Sequence, residues 1–362
     1  MTSSPQTTLT PKQKGPVARY WENASGFWRG PTGRIAWSLT ILLIIVAVLE
    51  LLVKYRLNFW NRDFFDALEK KDAAAIWTQA LLFVPIVAAS TGLAMLGVWG
   101  RMTTQRKWRH WLTEKVIAQW LDDGRYRDLS RTGGDHQNPE YRIAEDVRVA
   151  TDAPVDFAVG LLTALLTAIT FIDVLWTVGG SLVVEIFGAV VTVPGYLVIA
   201  VVLYSMLTTT AMLGIGHRMV NVVKGMDQAE AELRYEATHL RERGEANAPM
   251  DGKFEDGHDL RSAVERVIQQ WRDLCAQLIR TTLISHGNSI AASVIPLILC
   301  APKYLADTIT LGEVVQAAAA FVAVQAAFNW LTDNYPRIAS WTASAHRVAS
   351  LLYSLDGLNH KK

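Results

Sequence analysis

The stretch IAWSLTILLIIVAVLELLVKYRL, residues 35–57, decides the fold: up to Val53 its only charged residue is Glu50. A helix needs about 20 consecutive apolar residues to cross ~30 Å of hydrocarbon, and this stretch supplies them. Five more stretches share its character, at residues 76–100, 157–178, 195–216, 285–305 and 314–331. Together they predict an all-α polytopic membrane protein with six transmembrane helices. The loops between the spans alternate between long and basic, and short and nearly uncharged.

A net charge of +1 from 35 basic and 34 acidic residues would suit a soluble protein if it were evenly spread. It is not: 29 of the basic residues fall on one side of the six-span topology, and only Lys54, Arg56, Arg62, Lys70, Lys71 and Lys303 on the other. The positive-inside rule then predicts that both termini are cytoplasmic. Acids interleave with Lys and Arg in the long loops, so topology accounts for them and no nucleic-acid partner is implied.

Residues 1–17 read as a disordered tail without the apolar core of a cleavable signal. Residues 18–345 form the transmembrane domain, and 346–362 a C-terminal cytoplasmic tail. At residues 18–34, Tyr20, Trp21, Phe27 and Trp28 mix with Arg19, Arg29 and Arg34, which predicts an interfacial elbow. Residues 58–75 interleave aromatics with charges and predict a short amphipathic helix or turn at the outer face. Residues 101–121 lack Gly and Pro, so the second helix is expected to continue ~30 Å into the cytoplasm. A reversal at 124–139, with Gly133, Gly134, Asp135, Asn138 and Pro139, and a helix over 140–151 lead back to span three. The same plan recurs at 222–243, 244–257 and 259–282, giving two long cytoplasmic helical hairpins. Cys275 and Cys300 lack metal-ligand spacing and read as packing residues. The eight histidines include no H-E-x-x-H, so no metal site is expected.

Several motifs occur in order along the chain. Asn58-Phe59-Trp60-Asn61-Arg62-Asp63-Phe64-Phe65-Asp66-Ala67-Leu68 resembles an N-W-N-x-x-F-Y-x-A-L element, and Arg106-Lys107-Trp108-Arg109-His110-Trp111-Leu112-Thr113 an R-W-R-x-W-L-T helix. Residues 138–148, NPEYRIAEDVR, resemble N-P-D-Q-R-I-x-E-D-x-R, and Glu230-Ala231-Glu232-Leu233-Arg234-Tyr235 resembles E-A-x-F-R-F. Residues 301–305, APKYL, and 328–333, FNWLTD, resemble A-P-x-Y-F and L-x-W-F-x-D. These elements resemble the SbmA/BacA-like and YddA-like transmembrane-domain family. The resemblance implies the ABC exporter transmembrane-domain fold, a homodimer in a bacterial inner membrane, and a peptide or peptide-like antibiotic as substrate. It marks Asn58, Trp60, Asn61, Asp66, Arg142, Asp146, Arg234 and Asp333 as structural or gating positions.

Relatives of the YddA type continue into an ATP-hydrolysing domain, and the stop at Lys362 predicts a chain without one. No G-x-x-x-x-G-K-[ST] or ABC signature motif occurs, since Gly252-Lys253 is followed by Phe254. The chain alone is therefore not expected to be an enzyme or to hold a cofactor. ATP would enter only through a separate ABC ATPase subunit docked on the hairpin tips. That partner-driven permease is the alternative reading; the first expectation, implied by the resemblance to SbmA/BacA-like proteins without an ATPase, is proton-driven transport, which needs acids whose pKa is raised by burial or by neighbouring carboxylates. Asp173 in span three and Glu50 in span one are candidates, each read either as a proton site or as an acid paired within the bundle. By family position Glu145, Glu230 and Glu236 join them, with ionic pairing to Arg142, Arg148, Arg234 and Arg241 as the alternative reading.

Overall fold

The computed structural model describes residues 20–22, 24–127, 139–186, 189–245 and 253–359. It contains two compact units, one of Met1–Thr170 with Asp333–Lys362 and one of Phe171–Thr332. Six long helices dominate: α1 (Gly33–Glu69), α2 (Ala73–Leu121), α3 (Val147–Gly179), α4 (Tyr196–Glu245), α5 (Lys253–Leu305) and α6 (Leu311–Asn359). Among the described residues, six helices are long and apolar enough to cross a membrane, one for each expected span. The chain is an all-α, multi-pass membrane protein. The tail at 1–17, most of the reversal at 124–139 and much of that at 244–257 lie outside the described residues.

In the first unit, α1 and α2 pack along each other through small residues. Gly97 and Gly100 are buried, and a Cβ at Gly100 would sit 3.0 Å from Leu43. Residues 58–69 differ from expectation. They form no separate outer helix but continue α1 without a break, because nothing between Arg34 and Glu69 breaks a helix. The reversal comes at Lys70-Lys71-Asp72, where Lys71 takes φ 55° and Asp72 caps α2 by accepting from the Ala74 and Ala75 N–H groups. Trp60 fastens the two arms: it stacks on Phe64 at 5.1 Å and donates its indole N–H to the Gln79 carbonyl at 2.8 Å.

The elbow also packs inward against the first unit. Tyr20, Ala24 and Phe27 are fully buried, in one core with Trp108, Leu112 and Val116 of α2 and Val147 and Ala150 near the start of α3. The same core takes in Val348, Ala349, Leu351, Leu352 and Leu355. Residues 346–359, expected as a tail, are therefore a helical part of this core.

In the second unit, α4 and α5 run side by side. Gly225 permits the approach, since a Cβ there would meet the Gln270 amide at 2.6 Å, and the Gln277 amide donates to the Ile215 carbonyl at 2.8 Å. Between α3 and α4 lies a β-hairpin that the sequence reading did not assign. Strand β1 (Ser181–Ile186) pairs antiparallel with β2 (Ala189–Pro194), from Ser181 opposite Pro194 to Ile186 opposite Ala189. Gly180 and Gly195 bracket it at φ 55° and 60°, and a Cβ on Gly195 would lie 2.4 Å from the Trp176 ring. Only glycine meets both demands. At the start of α6, Thr310 and Glu313 form a reciprocal capping box, each accepting the other's backbone N–H through its side chain at 3.0 and 3.2 Å.

Candidate functional site

The densest set of charged side chains lies at the basic end of the first unit, where the N-P-E-Y-R-I-A-E-D-V-R motif enters α3. Residues Arg142–Asp146 form a single π-turn, a widened helical step that rotates adjacent residues away from their ordinary positions. Asp146 points inward with 1% exposure and is clamped in bidentate fashion by Arg347 of α6. The Nε and Nη2 of Arg347 donate to its two oxygens at 2.8 and 2.6 Å. Glu145 points outward and accepts from Arg148 Nε and Nη2 at 3.1 and 2.5 Å. That hydrogen bond, with the charges of Arg148 and Arg109, holds the Glu145 carboxyl below the ordinary glutamate range. Arg142 is buried beside them.

Two further acids complete the cluster. Asp152 and Asp156 stand one helical turn apart on α3, and Gln105 of α2 bridges that turn. Its amide donates at 3.0 Å to both the Asp152 carbonyl and the Asp156 Oδ1. Arg337 of α6 donates to Asp156 Oδ2 at 2.8 Å, and Arg148 lies 3.8 Å from Asp152. Burial raises the Asp152 carboxyl above the ordinary aspartate range. The charges of Asp156 and Glu145 add to that rise, while Arg109 and Arg148 oppose it. Asp152 borders a recess of about 430 Å³ that is also lined by Gln105, Arg106, Arg109, His110 and Thr113. The cluster can hold a proton on Asp152, or tie α2, α3 and α6 together through charge.

The other predicted site residues are dispersed. Glu50 is half-buried, with its Oε1 close to Gly97 of α2. Asp173 faces outward from α3 in the second unit, and no described residue pairs with its carboxyl. Asp333 reaches the surface, although the protein around it desolvates its carboxyl enough to raise it. In the second unit Glu230 and Arg234 are exposed on α4 and Glu236 is half-buried. Glu230 and Glu236 stand ~9 Å apart along the axis and ~120° apart around it, so they share no face. It is Glu232 between them that pairs across to Arg266 of α5, at 3.0 Å. Asn58 is buried in α1, and Asn61 and Asp66 are half-buried. Cys300 is buried as expected, whereas Cys275 is exposed. No group of three or more His, Cys, Asp or Glu suited to a metal ion occurs among the described residues.

Sequence reasoning missed Asp152, Asp156 and their partners Gln105 and Arg337. The Arg148, Asp152 and Asp156 spacing of four on one helix face was the available signal.

Six apolar helices among the described residues, a π-turn within the 138–148 motif and a clamped Asp146 belong to a membrane-embedded helical protein. Residues 31–305 match the family described as ABC transporter transmembrane region 2. The chain belongs to this family. It is 26% identical over 339 residues to the inner membrane ABC transporter ATP-binding protein YddA of Escherichia coli, across 92% of this chain and 60% of that protein. An uncharacterized ABC transporter ATP-binding protein of Synechocystis is 25% identical over 88% of this chain and 46% of its own length. The chloroplastic ABC transporter D family member 2 of Arabidopsis thaliana is 22% identical over 97% and 48% respectively. The chain thus spans about half the length of the curated relatives it matches.

Proposed function

We propose that this chain is the membrane-spanning part of an ATP-energised transporter of peptides or peptide-like antibiotics. It works as a homodimer in a bacterial inner membrane with both termini cytoplasmic. The observation that carries this reading is the family match over residues 31–305, to relatives whose names include ATP binding. The ATP-binding part would reside in a separate subunit or a further segment. Supporting it, α2 runs unbroken for ~30 Å beyond Gly100, and α4 and α5 likewise outrun their spans. Such helices act as stiff levers between a distant engine and the bilayer. For the dimer, α5 exposes Val264, Ile268, Trp271 and Leu278, a heptad-like row that lacks a covering surface in the single chain.

A second reading, proton-driven transport, is favoured by the raised Asp152 carboxyl. It draws no support from Glu145, whose hydrogen bond with Arg148 stabilises the charged form.

Proteoliposomes separate the two. Labelled peptide should accumulate when the chain is reconstituted with an ATP-binding partner from the same cells and given ATP. A pH gradient alone should give no uptake. Uptake driven by the gradient without ATP would overturn the first reading in favour of the second.

A further inference from the structure

The first unit contains a recess of about 230 Å³ between the elbow and helices α1, α2 and α3. Its walls are hydrocarbon, supplied chiefly by Trp21, Trp28, Leu43, Trp108, Ala158 and Leu162. The side-chain polar atoms of Trp28, Thr40, Thr104 and Trp108 are already engaged. Trp28 Nε1 donates to Thr40 Oγ1 at 3.1 Å, Thr40 donates to the Ala36 carbonyl at 2.8 Å, and Thr104 donates to the Gly100 carbonyl at 2.8 Å. Trp108 Nε1 donates to the Ala24 carbonyl at 3.2 Å. Pro154 cannot donate to the Ala150 carbonyl one turn back, yet that carbonyl accepts from Tyr20 at 2.6 Å and from Trp341 Nε1 at 3.3 Å. A peptide placed here would leave its amides without partners, so the chemistry selects a bare hydrocarbon chain.

The level of the recess identifies the source of that chain. Its walls lie at Thr40–Ile44, Thr104–Trp108 and Pro154–Leu162, where the apolar spans meet the basic ends of the helices. Indole rings favour this boundary between hydrocarbon and headgroups. Arg29, next to wall residue Trp28, and Arg34, two turns before Thr40, are both exposed. Among the described residues neither has an ion-pair partner. We propose that the recess holds one acyl chain of an anionic phospholipid whose headgroup rests against Arg29 and Arg34. The lipid then acts as a wedge that keeps the elbow seated between α1 and α3.

The test uses the full chain incubated with equal amounts of phosphatidylglycerol and phosphatidylcholine of matched acyl length, washed in mild detergent, with retained phospholipid counted by mass spectrometry. Wild type should retain one phospholipid per chain, with phosphatidylglycerol favoured about tenfold. Ala158→Trp, which fills the recess, should abolish retention. Should that variant fail to fold, Ile44→Trp fills it from the opposite wall. Arg29→Ala with Arg34→Ala should keep a lipid but reduce the preference to near parity. Retention unchanged by either filling variant, or no headgroup preference in wild type, would overturn the proposal. Loss of self-association without loss of lipid would overturn it too, by making the recess a seat for a second copy.

Discussion

The basic end of the first unit and the α4–α5 pair of the second are built from similar material, long helices rich in Arg, Glu and aliphatic residues, and are held in opposite ways. In the first, Tyr20, Phe27, Trp108, Leu112, Leu352 and Leu355 are sealed in one core and the charges interlock across three helices. In the second, α4 and α5 are joined at the small residue Gly225, by hydrogen bonds from Tyr196 to the Leu299 carbonyl, from Tyr204 to Asn288 and from Gln277 to the Ile215 carbonyl, and by the exposed Glu232–Arg266 ion pair, while Trp271, Ile268 and Ile279 remain uncovered. The first region is complete within one chain. The second leaves the apolar residues Val264, Ile268, Trp271 and Leu278 of α5 exposed.

The sharpest way to break the comparison is to cut the sealed core. Trp108→Ala removes a fully buried ring that packs edge-on against Trp28 at 4.8 Å, and should cost about 4 kcal/mol, read as a large drop in the thermal midpoint in detergent. Next, Arg347→Ala leaves Asp146 charged and unclamped in a buried site, for a loss of about 3 kcal/mol. Arg347→Ala combined with Asp146→Asn should recover part of it. A smaller effect concerns pH. Because Asp152 has a raised carboxyl in the folded chain, the native state takes up its proton more readily than the unfolded one. Its contribution therefore falls as pH rises from the ordinary aspartate range through the raised value. Asp152→Asn should flatten that part of the stability profile; a profile of unchanged slope would remove Asp152 from the titrating groups. Glu145 has the opposite sign: its contribution is present above the ordinary glutamate pKa and is lost as pH falls through its lowered value. The least effect is expected in the α4–α5 pair, where Glu232→Ala should change stability by less than about 1 kcal/mol. A larger loss there would mean that the pair is tied as firmly as the first region.

The six spans were legible because length and apolarity are properties of a single stretch. The elbow's mix of aromatics and arginines was legible, but which of its rings turn inward was not, because that depends on the positions of Trp108 and Leu112 in another helix. The motif flagged Asp146, but its partner Arg347 lies 201 residues away and no local pattern announces it. Glu145 and Asp146 are adjacent and similar in kind, yet the π-turn sends one to a surface arginine and the other into the core. The hairpin at 181–194 was signalled by its β-branched runs between Gly180 and Gly195, and was passed over as a link between spans.

The Ala150 carbonyl joins Tyr20, near the beginning of the chain, to Trp341, near its end. A carbonyl has two lone pairs, and here each is served by a residue made at a different time. Tyr20 is available as soon as α3 emerges, whereas Trp341 follows only after three more spans have been synthesised. This one oxygen therefore records the progress of synthesis: half-served in a truncated chain and fully served when α6 has arrived. The seam that closes last in time is thus one that Tyr20 opens early.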